Sequence, residues 1–180
     1  MGVAHYHAMI EAGILTDDDL VELLEGWLVF KPPKNPPHRA TTRLLRAAIE
    51  QLLPEGWYVD SQEPITLADS EPEPDVVVVK GDTRQYLDRH PGPNDIALII
   101  EIADTTLQRD RGTKKRAYAR SRIPIYWIVN LNEGQIEVYT QPSSTQADYL
   151  QRQDYKIADT LAVMLDEDLV GEIAIATLFP

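Results

Sequence analysis

A chain of 180 residues, 43% hydrophobic and 26% charged, is long enough to bury one well-packed core and short for two. It contains no cysteine, which excludes disulfides, thiolate metal sites and a thiol nucleophile, and suits a reducing compartment. The net charge of −12 argues against a simple nucleic-acid binder, because affinity for phosphate normally comes from a basic footprint.

Residues 1–19 read as an N-terminal extension to one domain spanning 1–180. The opening Met1-Gly2-Val3-Ala4-His5-Tyr6-His7 lacks the basic and apolar regions of a signal peptide, and no apolar run reaches bilayer length. The expectation is a cytoplasmic protein without a membrane partner. Thr16–Asp19 forms a cap or loop leading into Leu20–Leu24, and Gly26 then reverses the chain. Residues 20–30 therefore read best as a β-hairpin, with a helix over Asp17–Leu24 as the alternative. Four prolines in Lys31–Pro37 indicate a loop without regular structure.

That loop delivers the chain to a helix over about His38 to Leu53. Thr41, Leu45, Ala48, Ile49 and Leu52 share one stripe at 100° per residue, while Arg39, Arg43, Arg46 and Glu50 fall off it. His38 lies on the stripe at its N-terminal end, where a histidine is more often a core or capping group than a functional one. Pro54-Glu55-Gly56 ends the helix, and Trp57–Val59 and Ile65–Leu67 read as short strands.

Two apolar runs follow, each marked by a carboxylate. Asp75 opens Val76–Val79, and Glu101 closes Ile96–Ile100; both runs are short, β-branched and bounded by turn residues, as buried strands are. Antiparallel pairing with Asp75 opposite Glu101 sets Val79 opposite Ala97, and the period of two puts Asp75, Val77, Val79, Glu101, Ile99 and Ala97 on one face. Two carboxylates then meet at one end of an apolar sheet, an arrangement that a hard divalent cation neutralises most simply. Lys80–Asp95 reads as an insertion loop with one helical turn at Thr83–Asp88.

Beyond Ala103-Asp104-Thr105-Thr106-Leu107, a basic helix is predicted with Asp110 as N-cap and Lys114 one turn later, placed to reach back over the sheet. Residues 108–122 carry Arg109, Arg111, Lys114, Lys115, Arg116, Arg120 and Arg122 against Asp110 alone, a local +6 that leaves −18 on the remainder. Tyr118 is expected to pack on the sheet. Ile125–Val129 reads as a buried strand, Asn132-Glu133-Gly134 as a hairpin turn, and Gln135–Tyr139 as a half-exposed strand. Pro142–Gln146 is a polar loop, and 149–180 add short strands or a terminal turn. The order is helix, three or four strands, helix, strand.

Four blocks carry a resemblance: Glu-Pro-Asp-Val-Val-Val-Val, Leu-Ile-Ile-Glu-Ile-Ala-Asp-Thr-Thr, Arg-Asp-Arg-Gly-Thr-Lys-Lys-Arg-Ala-Tyr-Ala-Arg and Ile-Pro-Ile-Tyr-Trp-Ile-Val-Asn. In this order they resemble the Uma2 family, a branch of the PD-(D/E)XK, restriction-endonuclease-like superfamily, over roughly residues 20 to 180. The resemblance implies an α/β (α+β) fold with an αβββαβ core and a central mixed sheet flanked by helices, here with an N-terminal β-hairpin. It also implies that Asp75 is the Asp of the PD element and Glu101 the second acid. Ala103 stands where the superfamily lysine is expected, and Lys114 matches the lysine that Uma2-like proteins carry on the next helix. His38, after its Pro-rich loop, matches a recurrent histidine and is a secondary site candidate; Asp110 is another, through a hydrogen bond that steers Lys114. Asp104 and Thr106 replace serines common in the family.

The implied chemistry is phosphodiester hydrolysis with Mg²⁺ or Mn²⁺ on Asp75, Glu101 and the backbone carbonyl of Ile102, and with Lys114 aiding the attacking water or the transition state. Arg109, Arg111, Lys115 and Arg116 are the expected DNA contacts, and a homodimer suits cleavage of two strands. The alternative is a catalytically inactive nuclease-fold module that binds nucleic acid or protein. A third reading is a dimeric scaffold using an exposed aromatic strand around Tyr139.

Overall fold

The computed structural model describes residues 1–16 and 18–180; Asp17, part of the expected cap or loop, lies outside the described residues. Helix α1 (Val3–Glu11) precedes a hairpin of β1 (Val21–Leu24) and β2 (Trp27–Phe30), so the alternative helix ending at Leu24 is not formed. Glu25 and Gly26 both adopt positive φ at the hairpin turn, as a two-residue turn between right-twisted strands requires.

Helix α2 spans Pro36–Glu50. The expected irregular Lys31–Pro37 loop is thus too long by two residues. Asn35 is the N-cap, its side chain accepting from the His38 amide, and the prolines occupy the first turn, where no backbone donor is needed. Thr41, Leu45 and Ile49 of the predicted stripe are buried.

A six-stranded sheet follows in the order β3 (Trp57–Asp60), β4 (Val76–Lys80), β5 (Ile96–Ala103), β6 (Ile125–Asn130), β7 (Gln135–Ser143), β8 (Asp148–Lys156). Only β5 and β6 pair in parallel. The crossover between them carries α3 (Leu107–Arg109), a π-helical turn (Asp110–Lys114) and α4 (Lys115–Arg120). With α2 before β3, the chain runs αβββαβ, the mixed-sheet α+β architecture expected. Strands β9 (Thr160–Leu165) and β10 (Asp168–Ala174) form a separate antiparallel pair.

Both sheet faces are covered. Leu45 and Ile49 of α2 and Leu161, Val163 and Ile173 of the last pair pack on the face of Val76, Val78, Leu98 and Ile100. Ala117, Tyr118 and Ala119 of α4 pack on the face of Val77, Val79 and Ile99.

Three local expectations are corrected. Val79 pairs with Ile96 rather than Ala97, because a bulge between Val78 and Val79 shifts the register and turns Ala97 to the opposite face. Ile65–Leu67 is no strand but a buried connection whose amides donate to Pro72, Pro91 and Ser70. The strand at Gln135–Tyr139 is buried rather than half-exposed, since β8 pairs along it and Glu137 and Tyr139 bond each other inside; Tyr139 is itself buried, so the expected exposed aromatic strand is not formed among the described residues.

Candidate active site

The ladder holds Val76 opposite Ile100, so Asp75 and Glu101 sit one step beyond, at the open end of β4 and β5. Both carboxylates are buried, at 5% and 3% exposure. Asp75 Oδ2 accepts the Ile102 amide at 2.9 Å and faces His38 Nε2 at 3.1 Å. His38 reaches it from the first turn of α2, which Asn35 fixes through its bond to the His38 amide and a further bond to Asp104. Burial alone would raise the Asp75 carboxyl, but the His38 bond and charge, the Ile102 amide and the Lys114 charge together hold it below its ordinary range.

Lys114 is buried and donates to Glu101 Oε1 at 2.8 Å, with Glu22 Oε2 at 3.5 Å. Tyr118 donates to the same Glu101 oxygen at 2.6 Å, so it both packs on the sheet and touches the site. Burial raises the Glu101 carboxyl to about 8 against the pull of the Lys114 ammonium. Burial works to lower Lys114, but the charges of Glu101, Glu22 and Asp110 outweigh it and keep the amine protonated well above its ordinary range.

Asp110 is not an N-cap. The helix begins at Leu107, three residues earlier, and Asp110 opens the π-helical turn inside it, buried and accepting the Thr106 hydroxyl at 2.6 Å. The wider turn sets Asp110 and Lys114 on the inner side together, one residue of each sign; such turns are frequent at functional sites. Burial raises the Asp110 carboxyl to about 6.

Sequence reasoning missed Glu22 and Lys34. Glu22, on β1, is buried at 1% exposure, and its Oε1 has no hydrogen-bond partner. Lys34 Nζ lies 3.6 Å from Asp75 Oδ1. A polar residue in the short apolar run Val21–Leu24 was the available signal for Glu22; nothing local singles out Lys34 among loop lysines. One pocket of about 280 Å³ gathers Glu22, Asp75, Glu101 and Asp110 with Lys34, His38, Arg109 and Lys114.

The fit to a divalent cation rests on free oxygens. Among the described residues both donors to Glu101 fall on Oε1, both to Asp75 fall on Oδ2, and Glu22 Oε1 has none. Glu101 and Glu22 thus each retain an oxygen without a hydrogen-bond donor, and Asp75 Oδ1 faces only the Lys34 ammonium at 3.6 Å; three carboxylates on one pocket are the chemistry that Mg²⁺ or Mn²⁺ takes.

The basic helix is less available than its charge suggests. Arg111 is bound to buried Glu137, Lys115 to Asp148 at 2.8 Å, and Arg116 to Glu25 at 2.8 Å. Arg109 donates to the Phe30 carbonyl at 2.7 Å and is the one of the four that lines the pocket. By contrast, Arg39, Arg43 and Arg46 of α2 are exposed, share one groove with Ser61 and Gln62, and form no ion pair among the described residues.

The chain matches the family model of Uma2, described as "Putative restriction endonuclease", over residues 3–173. It belongs to the Uma2 family. A solved structure described as "a putative nuclease belonging to DUF820 from Anabaena variabilis ATCC 29413" shares the fold, with TM-score 0.69 at 16% identity over 95% of this chain and 96% of that one. No curated protein matches the chain. As a Uma2 member the chain belongs to a restriction-endonuclease-like family of nucleases, and no helix among the described residues is long and apolar enough to cross a membrane.

Proposed function

We propose that this chain is a Mg²⁺- or Mn²⁺-dependent endonuclease that hydrolyses DNA phosphodiester bonds at the Asp75–Glu101–Lys114 pocket. The carrying observation is the buried junction itself: Asp75 and Glu101 at adjacent strand ends, Glu101 with an oxygen that takes no hydrogen bond, and a buried lysine 2.8 Å from Glu101.

Asp75, Glu101 and the carbonyl of Ile102 hold the cation, with Glu22 Oε1 as a further oxygen. When bound, the cation polarises a phosphoryl oxygen and lowers the pKa of water. The residues of the chain do the rest. Lys114, kept protonated by Glu101, Glu22 and Asp110, is a fixed positive charge for the transition state and an orienter of water, not a proton acceptor. His38 holds the Asp75 carboxylate in place, and Tyr118 holds Glu101. Asp110 sets Lys114 from the same turn. Arg39, Arg43 and Arg46 lie on the helix that carries His38, and supply a phosphate track that Arg111, Lys115 and Arg116, committed to carboxylates, do not. Two such chains as a homodimer suit cleavage of both strands.

The test is cleavage of supercoiled, linear and single-stranded DNA with Mg²⁺ or Mn²⁺ beside Asp75→Ala and Lys114→Ala. Metal-dependent nicking abolished in both variants supports the reading. Absent cleavage, together with DNA binding that persists, favours the alternative, a nuclease-fold binding module; activity that survives Asp75→Ala rules the assignment out.

A further inference from the structure

A second cluster lies outside this pocket. His7 of α1, Glu71 of the extended run before β4, and His90 of the insertion loop present ligand atoms all within 4.8 Å of one another. Glu71 is buried, at 3% exposure, and its backbone is bridged to Leu23 of β1. His7 Nε2 faces both Glu71 oxygens, at 2.8 and 2.7 Å, and Thr66 donates to Oε2 at 2.8 Å, which orients the carboxylate from behind. The imidazole of His90 stands edge-on to that of His7, centroids 6.3 Å apart. All three open on one pocket of about 640 Å³ beside Tyr86 and Arg89.

We propose that His7, Glu71 and His90 form a site for a zinc-class divalent cation that fastens the N-terminal helix to the body of the protein. Two imidazoles and one carboxylate, with a fourth position open to water, form a donor set that borderline transition metals take and that Mg²⁺ does not favour. Two ligands on one tetrahedral zinc stand about 3.3 Å apart for bonds of about 2.0–2.1 Å, so His7 and Glu71 need to part by only about half an ångström as the cation replaces the hydrogen between them. The Thr66 hydroxyl behind Glu71 is the kind of outer partner that fixes a ligating carboxylate.

The fold gives such a tie something to do. Helix α1 has nine residues, no side-chain N-cap and one buried residue, Tyr6, so it lacks the means to stand alone. His7, half-buried on the same helix, adds a bond to buried Glu71. The site is separate from the nuclease pocket: Glu71 precedes Asp75 by four residues of extended chain, about 13 Å at full stretch. Within Glu71-Pro72-Glu73-Pro74-Asp75 each carboxylate has its own cation, His7 for the first if protonated, Lys31 for the second, and His38 with Lys34 for the third.

A simple His7–Glu71 ion pair explains two of the residues and leaves His90 without a part, so His90 decides. Zn²⁺ alone is titrated calorimetrically into the full chain carrying Asp75→Asn, which removes a ligand of the other pocket, and into the same chain with His90→Ala or His7→Ala. One Zn²⁺ per chain is expected in the Asp75→Asn background. Either histidine variant should weaken it by more than the about 10- to 100-fold that loss of an outer-shell partner costs. Hydrogen exchange of the α1 amides should slow with Zn²⁺ only where both histidines remain. Unaltered Zn²⁺ affinity in His90→Ala, or no saturable Zn²⁺ in Asp75→Asn, overturns the proposal. Should Asp75→Asn fail to fold, the unsubstituted chain in excess Mg²⁺ gives the same comparison.

Discussion

Glu101 and Lys114 show how one buried residue sets the demands on the next. A carboxyl raised to about 8 contributes stability that is complete below its unfolded value near 4.5 and is lost as pH rises through 8. The chelated protein is therefore expected to lose stability between about pH 5 and 8, and Glu101→Gln to flatten that slope, as urea titrations at several pH values would show. Mg²⁺, which binds the ionised form, should restore stability at the alkaline end. Lys114→Met should cost about 3–5 kcal/mol at pH 8, because Glu101 and Glu22 are left without their cation in a buried site. Urea unfolding at pH 8 measures it, and a loss under about 1 kcal/mol, as for an exposed pair, would count against a buried Lys114 contact.

At the scale of elements, the proposed phosphate track lies on α2 rather than on the helix that the charge pattern picked out. The crossover carries the dense basic run, yet Arg111, Lys114, Lys115, Arg116 and Arg120 are spent on the chain's own acids. Glu137 illustrates this: burial would raise its carboxyl, but the Arg111 and Tyr139 bonds and the Arg152 charge hold it below its ordinary range. Arg111→Ala should thus destabilise by about 3 kcal/mol or more in denaturant unfolding, while leaving the salt dependence of DNA binding unchanged. Arg39→Ala with Arg43→Ala should do the reverse. Stability stays within about 0.5 kcal/mol of the parent, as for exposed sites, and the slope of log affinity against log salt falls by about 1.8, roughly 0.9 for each phosphate no longer neutralised. A slope that responds to Arg111 and not to α2 would move the track back to the crossover.

On the scale of the whole molecule, the pocket exists because four separate segments meet at one end of the sheet. The β1–β2 hairpin delivers Glu22 only through its docking, which depends on fully buried Leu23 and the bridge from Leu23 to Glu71. Leu23→Ala should cost about 2–5 kcal/mol in stability. It should also weaken Mg²⁺ binding although Leu23 touches no cation, since it loosens the strand that holds Glu22; calorimetric titration with Mg²⁺ at a temperature where the variant is folded checks this.

The sequence by itself determined the β1–β2 hairpin, helix α2, the two central strands and the adjacency of Asp75 and Glu101 at their ends, but not helix α1. Short β-branched runs bounded by turn residues have few other solutions, and a period of two fixes which side chains share a face. Asn35-Pro36-Pro37 carried the true helix start as well, though four prolines in a row of seven disguised it as a loop. Tertiary structure alone decided what is not local. The bulge that moves Ala97 to the other face comes from the fit of two paired strands, and the burial of Gln135–Tyr139 comes from β8 pairing along it. Asp110 passed from cap to buried residue because the helix gained its first turn from Leu107. Glu22 and Lys34 lie on the pocket, and Arg111, Lys115 and Arg116 are ion-paired to the chain's own acids, because ion pairing depends on which residues distant in the chain come within a few ångströms, and no spacing along the sequence encodes that distance.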